Sequence, residues 1–190
     1  PYYLLLVGGP DKIPYSFQYL LDVQYAVGRI CFDSAAEYRL YAENVVAAER
    51  GGLQLKREAV FAGTANENDP ATAATSRGLI TKLAESAKGV ADWEIRCPDP
   101  KTMTKAGMLE LVSNAPALVT IAAHGAGMAG EKLDTQLRFN GALLSQDHVF
   151  AGKEPEPAAK SNLFLKAEDV PETARLHGSI FLLVACFGAG

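Results

Sequence analysis

Two apolar runs constrain this chain more than anything else in it. Ala117–Ala123 (ALVTIAA) runs straight into His124-Gly125-Ala126-Gly127, and Ile180–Ala185 runs into Cys186, with Gly188 and Gly190 just behind. Runs this apolar, with no polar alternation, belong to strands covered on both faces, the mark of a parallel sheet between helices. In such sheets ligands and reacting groups gather at the C-terminal ends of the strands. One run brings an imidazole to that edge, and the other, read as a buried parallel strand, brings a thiol. A base beside a thiol is the minimum equipment for nucleophilic catalysis by sulfur.

The intervening segments fit a sheet of this kind. Ala59–Ala62 (AVFA) is a short strand. Asp69-Pro70 opens a helix, with Asp as N-cap and Pro at the first helical position, running to about Lys88. Asp92–Cys97 alternates like a strand, and Thr102 or Thr104 starts a helix ending near Asn114. Between the His and Cys runs the pattern predicts a hairpin-like segment turning at Asn140-Gly141. A loop over Lys153–Lys160 and a short helix over Ala167–Leu176 follow. Alternating strands and helices predict an α/β fold with a mostly parallel sheet flanked by helices.

Residues 1–52 read as a small accessory strand and helix region, and 53–190 as the catalytic domain. In the accessory region Tyr2–Val7 is a strand closed by Gly8-Gly9-Pro10, Ile13–Val23 has no clean period, and Ala26–Phe32 is a second strand. Asp33 or Ser34 caps a helix through Arg50, with Glu37 completing a capping box from Ser34. Tyr38, Tyr41, Ala42, Val45, Val46 and Glu49 recur at helical spacing, which predicts a buried face, and Gly51-Gly52 stops the helix. Arg29 and Asp22 fit either the surface of this region or an interface.

Charge and cysteine usage exclude several classes. Over 190 residues the net charge is -4, so nothing invites nucleic acid, which calls for a basic patch. No run approaches the ~18 apolar residues of a membrane span. Cys31, Cys97 and Cys186 show no C-x-x-C spacing, so neither a disulfide framework nor a zinc site is indicated. Pro1 in place of an initiator Met, and the closing Gly-Ala-Gly, read as an excised or processed piece. Cytoplasmic location is the default expectation.

A lone Cys after an apolar run is by default core, and a lone His beside one is by default structural. Here both stand at strand ends, with glycines behind them that leave room for a substrate carbonyl. His124 can shuttle a proton and, as imidazolium, favour the Cys186 thiolate. The N–H groups of Gly125 and Cys186 can donate to an oxyanion. His148, placed at a cleft rim, and His177, at the N-terminal end of the Cys strand, read as structural. Cys31 and Cys97 read as small core fillers.

IAAHGAG at 121–127 and LLVACFGAG at 182–190 together resemble the caspase-like cysteine peptidases of clan CD. The segment 2–49, with LLVGGPDKIP at 5–14 and GRICFDSAAEYRLY at 28–41, is similar to the gingipain-type and CHAT-type branch. The resemblance implies a caspase-like three-layer sandwich and a cysteine endopeptidase with His124 and Cys186 as dyad. It places the Gly125 and Cys186 N–H groups in the oxyanion hole. It calls for a protein or peptide substrate, no catalytic metal and no cofactor. The family's domain continues past the Cys, so a C-terminal remainder is an expected partner, and the piece alone is expected to be weak or inactive.

In this family the loop after the first core strand shapes the S1 pocket. That loop is GTANENDPATAATSRG, 63–78, where Asp69 matches the position of the caspase arginine and points to cleavage after Arg or Lys. Glu67 is the second choice, and Asp69 as a helix cap stands beside the S1 reading. Two other functions remain open. One is a catalytically inactive caspase-like interaction scaffold. The other is a dinucleotide site through Gly125-x-Gly127-x-x-Gly130 with Asp147 downstream, against which stands the strand-like pattern of 131–144.

Overall fold

The computed structural model describes residues 2–52, 55–114, 116–150 and 161–187. The chain forms two compact units, residues 1–53 and 54–190.

The first unit contains β1 (Tyr3–Val7), α1 (Tyr15–Asp22), β2 (Ala26–Ile30) and α2 (Ala35–Ala47). The strands pair in parallel, Tyr3 opposite Ala26 and Val7 opposite Ile30. The stretch without a period thus holds a helix, the crossover that parallel strands require. Arg29 has a structural task. Its Nε donates to Gln18 Oε1 at 3.0 Å, one Nη donates to Gly8 O at 2.8 Å, and the guanidinium lies 5.1 Å from the Tyr15 ring centroid. One side chain ties β2 to α1 and to the end of β1. α2 carries the expected capping box, with Ser34 Oγ accepting from Glu37 N and Glu37 accepting from Ser34 N at 2.8 Å. Gly51, at φ 80°, closes the π-helical turn that follows. The expected buried face is absent. Tyr41, Val45 and Val46 are 38–40% exposed, and no residue of α2 is buried. A unit of this size has too little chain to enclose a helix face, and its two strands are likewise exposed or half-buried.

The second unit contains β3 (Glu58–Gly63), α3 (Pro70–Thr75), α4 (Thr81–Ala87), β4 (Glu94–Arg96), α5 (Lys105–Ser113), β5 (Leu118–Ala122), α6 (Leu133–Phe139), β6 (Leu143–Leu144), β7 (Phe164–Leu165) and β8 (Ile180–Val184). A π-helical turn, Ser76–Ile80, joins α3 to α4. The main sheet has the order β4-β3-β5-β8, parallel throughout, so the fold is α/β with helices against a parallel sheet. Side chains alternate across β3 and β5 into two core layers. Val60, Ala62, Val119 and Ile121 pack with Met103 and with Met108 and Val112 of α5 on one face. Ala59, Phe61 and Ala122 pack with Ile80 and Ala84 on the other.

Four expectations are corrected here. β8 is parallel to β5 but not buried. It is the edge strand of the described sheet, and Ile180, Leu182, Leu183 and Val184 are 40–60% exposed. The run 131–144 is not a hairpin. Leu133–Phe139 is helical, the chain turns at Asn140-Gly141, and β6 then pairs with β7. The asparagine terminates the helix and its Oδ1 accepts from Met128 N at 2.8 Å, a role that needs no second strand. Ala167–Leu176 holds only a 3-10 turn, Ala167–Asp169. Pro171 forces Val170 out of the helical region, to ψ 120°. Cys31 and Cys97 are exposed rather than core, because each lies one residue past a strand end. The loop Lys153–Lys160 lies outside the described residues. No helix among the described residues is long and apolar enough to cross a membrane.

Candidate active site

The strand order creates the site. From β3 the chain steps outward to β4 and then back across to β5, so the loops leaving β3 and β5 diverge at a switch point, where crevices form in open α/β sheets. The loop after β3 carries Asp69. The end of β5 carries His124. β8 pairs with β5 with Ala122 opposite Val184, and two residues further along each chain stand His124 and Cys186. Both line one cavity of about 370 Å³, with Ala71, Thr72 and Thr75 of α3, Ala122, Ala123, Val184 and Ala185. Cys186 is exposed.

Asp69 joins this pair. As N-cap of α3 its Oδ1 accepts from Ala71 N at 3.1 Å, and its Oδ2 accepts from Thr72 N at 3.2 Å and from Thr72 Oγ1 at 2.7 Å. Oδ2 also meets His124 Nε2 at 2.8 Å. A carboxylate only accepts, so the ring proton sits on Nε2 and the Nδ1 lone pair is the one left for chemistry. The Asp69 side chain is 10% exposed and that of His124 33%. Burial by itself would raise the Asp69 carboxyl, but the bonds from Thr72, His124 and the Ala71 and Thr72 N–H groups outweigh it and hold it below its ordinary value. The Phe150 ring lies against the imidazole, centroids 5.4 Å apart.

Gly125 fits only as glycine. Leu144 N donates to His124 O at 2.8 Å and Ala126 N to Ala142 O at 2.9 Å, which makes Gly125 and Leu143 a non-hydrogen-bonded pair. In such a pair the Gly125 N–H points away from Leu143, toward the side on which Ala123 N bonds Val184 O of β8. A Cβ on Gly125 would overlap Cys186 O and lie 2.8 Å from its carbonyl carbon. Phe187, at φ 55°, turns the chain just after the thiol, and its ring fills the place where a Gly127 side chain would be.

The structure therefore brings together His124, Cys186, Gly125 and Asp69. The contact between Asp69 and His124 spans 55 residues and has no local sequence signal. Glu67 is exposed, has its backbone in a bridge with Val149, and does not line the cavity that holds His124 and Cys186. His148 is 3% exposed and packs edge-on to Phe150 at 4.5 Å, so it is interior and not a rim residue. His177 is exposed at the opposite end of β8, beside Asn114 and Arg175. Gly188 and Gly190 lie outside the described residues. No group of three or more metal-ligating side chains occurs among the described residues.

The glycine series does not open a helix, as a dinucleotide fingerprint requires. Gly125 is bridged to Leu143, and α6 begins only at Leu133. Asp147 accepts from Lys105 N at 2.8 Å and Ser145 Oγ at 2.9 Å. No protein-family model, no curated protein and no solved structure matches the chain.

Proposed function

We propose that the chain carries the catalytic residues of a caspase-like cysteine endopeptidase. The observation that supports this best is the pairing of β5 with β8, which brings His124 and Cys186 to one cavity while the Asp69 carboxylate accepts from His124 Nε2. His124 Nδ1 takes the Cys186 proton. The thiolate adds to the scissile carbonyl, and the Gly125 and Cys186 N–H groups donate to the oxygen as it becomes anionic. The imidazolium, its Nε2–H on the Asp69 carboxylate, returns the proton to the leaving amine as the C–N bond breaks. A thioester remains on Cys186. Water, deprotonated by His124, attacks it, and the acid leaves as the thiol re-forms. Side chains and backbone supply every step, so no cofactor enters.

A preference for Arg or Lys at the cleaved position draws no support from Asp69. Four donors already contact it, three of them on Oδ2, and its side chain is 10% exposed. The cavity beside Cys186 is lined by small uncharged side chains. Exposed thiols at Cys31, Cys97 and Cys186 suit a reducing compartment such as the cytoplasm.

The test is kinetic. The complete protein, C-terminal remainder included, and its Cys186→Ala variant are assayed on fluorogenic peptides with Arg, Lys, Asp or Ala before the scissile bond. Cleavage by the parent that Cys186→Ala abolishes is the expected result. Equal cleavage by both would sink the assignment. No cleavage of any peptide would favour the inactive scaffold.

A further inference from the structure

Ser145–Phe150 follows β6 and runs along the loop that carries Asp69. Gln146 pairs with Ala65 as a neighbouring strand would. Its Nε2 donates to Ala65 O at 2.8 Å, and its Oε1 accepts from Ala65 N at 2.7 Å. The Gln146 backbone N–H is itself fixed on Met103 O at 2.9 Å. Next in the loop comes Asn66, 3% exposed, whose Nδ2 donates to Ser145 O at 2.8 Å and His148 O at 3.0 Å. Its N–H donates at 3.0 Å to Thr72 Oγ1, the hydroxyl that donates to Asp69 Oδ2. Glu67 O accepts from Phe150 N at 3.1 Å, and the Phe150 ring rests on His124. Asn68 sits at φ 61°, a left-handed conformation that needs firm neighbours.

One segment thus grips the Asp69 loop at successive residues and touches His124 from another side. A six-residue link between a strand and a helix has no ladder of its own to hold it. We propose that Gln146, with Asn66, is a positioning residue: it clamps the β3–α3 loop so that the Asp69 carboxylate meets His124 Nε2. The kinetic consequence rests on the peptidase reading; the effect on the imidazole does not.

The experiment compares the full chain with Gln146→Met, which keeps the length and loses both hydrogen bonds. The His124 tautomer is read by two-bond nitrogen–proton NMR correlations at alkaline pH. In the parent chain His124 is expected as the Nε2–H tautomer alone, and in Gln146→Met as a mixture. On a cleaved peptide kcat is expected to fall about 10–100-fold, the scale of a misplaced catalytic geometry, with KM changed less than about twofold. Placed on Asp69→Ser, the same substitution should lower kcat less than about twofold further, because its route to His124 is already cut. An unchanged tautomer, or losses that multiply independently, would overturn the proposal. If Gln146→Met does not fold, Gln146→Glu, which keeps the acceptor for Ala65 N and loses the donor, is read the same way. If the parent chain cleaves nothing, the tautomer alone decides, and the peptidase reading fails separately.

Discussion

Replacing Asp69 by Ser separates its two tasks. Serine is as good an N-cap as aspartate, so the Ala71 and Thr72 N–H groups keep an acceptor. It is too short to reach His124 Nε2, which now lies 2.8 Å from the carboxylate. The stability cost is the lost charge at the helix N-terminus, about 0.3–1 kcal/mol, and one charge-assisted hydrogen bond, about 1.5–3 kcal/mol. The sum, about 2–4 kcal/mol, leaves a domain of ordinary stability folded. On the peptidase reading the catalytic cost is larger. Without the carboxylate the neutral ring is free to carry its proton on Nδ1, where it cannot accept from the thiol, and the imidazolium loses its counter-charge. Loss of an orienting carboxylate is worth about 10²–10⁴-fold in kcat, or about 3–5 kcal/mol of barrier. Asp69→Asn should fall between, since an amide oxygen can still accept from Nε2 without the charge. The assays are peptide turnover and thermal unfolding on the same preparations. A kcat within about threefold of the parent, with Tm lowered by a few degrees, would make Asp69 a helix cap and nothing more.

Gly125→Ala should abolish turnover and lower Tm by several degrees. The added methyl meets the Cys186 peptide rather than a movable side chain, and melting with turnover checks it. Gly127→Ala should cost less than about 1 kcal/mol in denaturant unfolding, since the atoms it would meet first belong to the Phe187 ring, 59% exposed and able to swing away. The folded Asp69 carboxyl lies below its ordinary value of 3.8, so the unfolded chain binds its proton first on acidification. The stability this contributes is complete above that value and is lost as pH falls through the lower folded one, so melting curves of the parent and Asp69→Ser should converge in acid. Ile121→Ala, at a fully buried position in the α5-facing layer, should cost about 2–5 kcal/mol in denaturant unfolding.

Strands that run parallel must end at the same edge, which is why the neighbourhood of His124 and Cys186 could be read from two apolar runs. The Asp69-Pro70 helix start and the Ser34–Glu37 capping box were equally legible, because caps depend on neighbours in sequence. What depended on packing was not. Leu133–Phe139 is one short helix, too brief for its period to outweigh the Asn-Gly that follows it. The helical spacing of Tyr41 and Val45 shows where an apolar face lies, not whether anything covers it. The Asp69–His124 bond needs the strand order, since only the step from β3 to β4 and back to β5 makes the two loops neighbours.

If His124 activates Cys186, competitive labelling of the thiols will show it. Cys31, Cys97 and Cys186 are all exposed, so access alone does not distinguish them, and thiolate character decides their rates. The full chain is treated with a limiting peptidyl electrophile and mapped by mass spectrometry, beside His124→Ala. Cys186 is expected to be modified first, and the substitution to remove its lead. Equal labelling of the three cysteines, unchanged by His124→Ala, would contradict activation by His124.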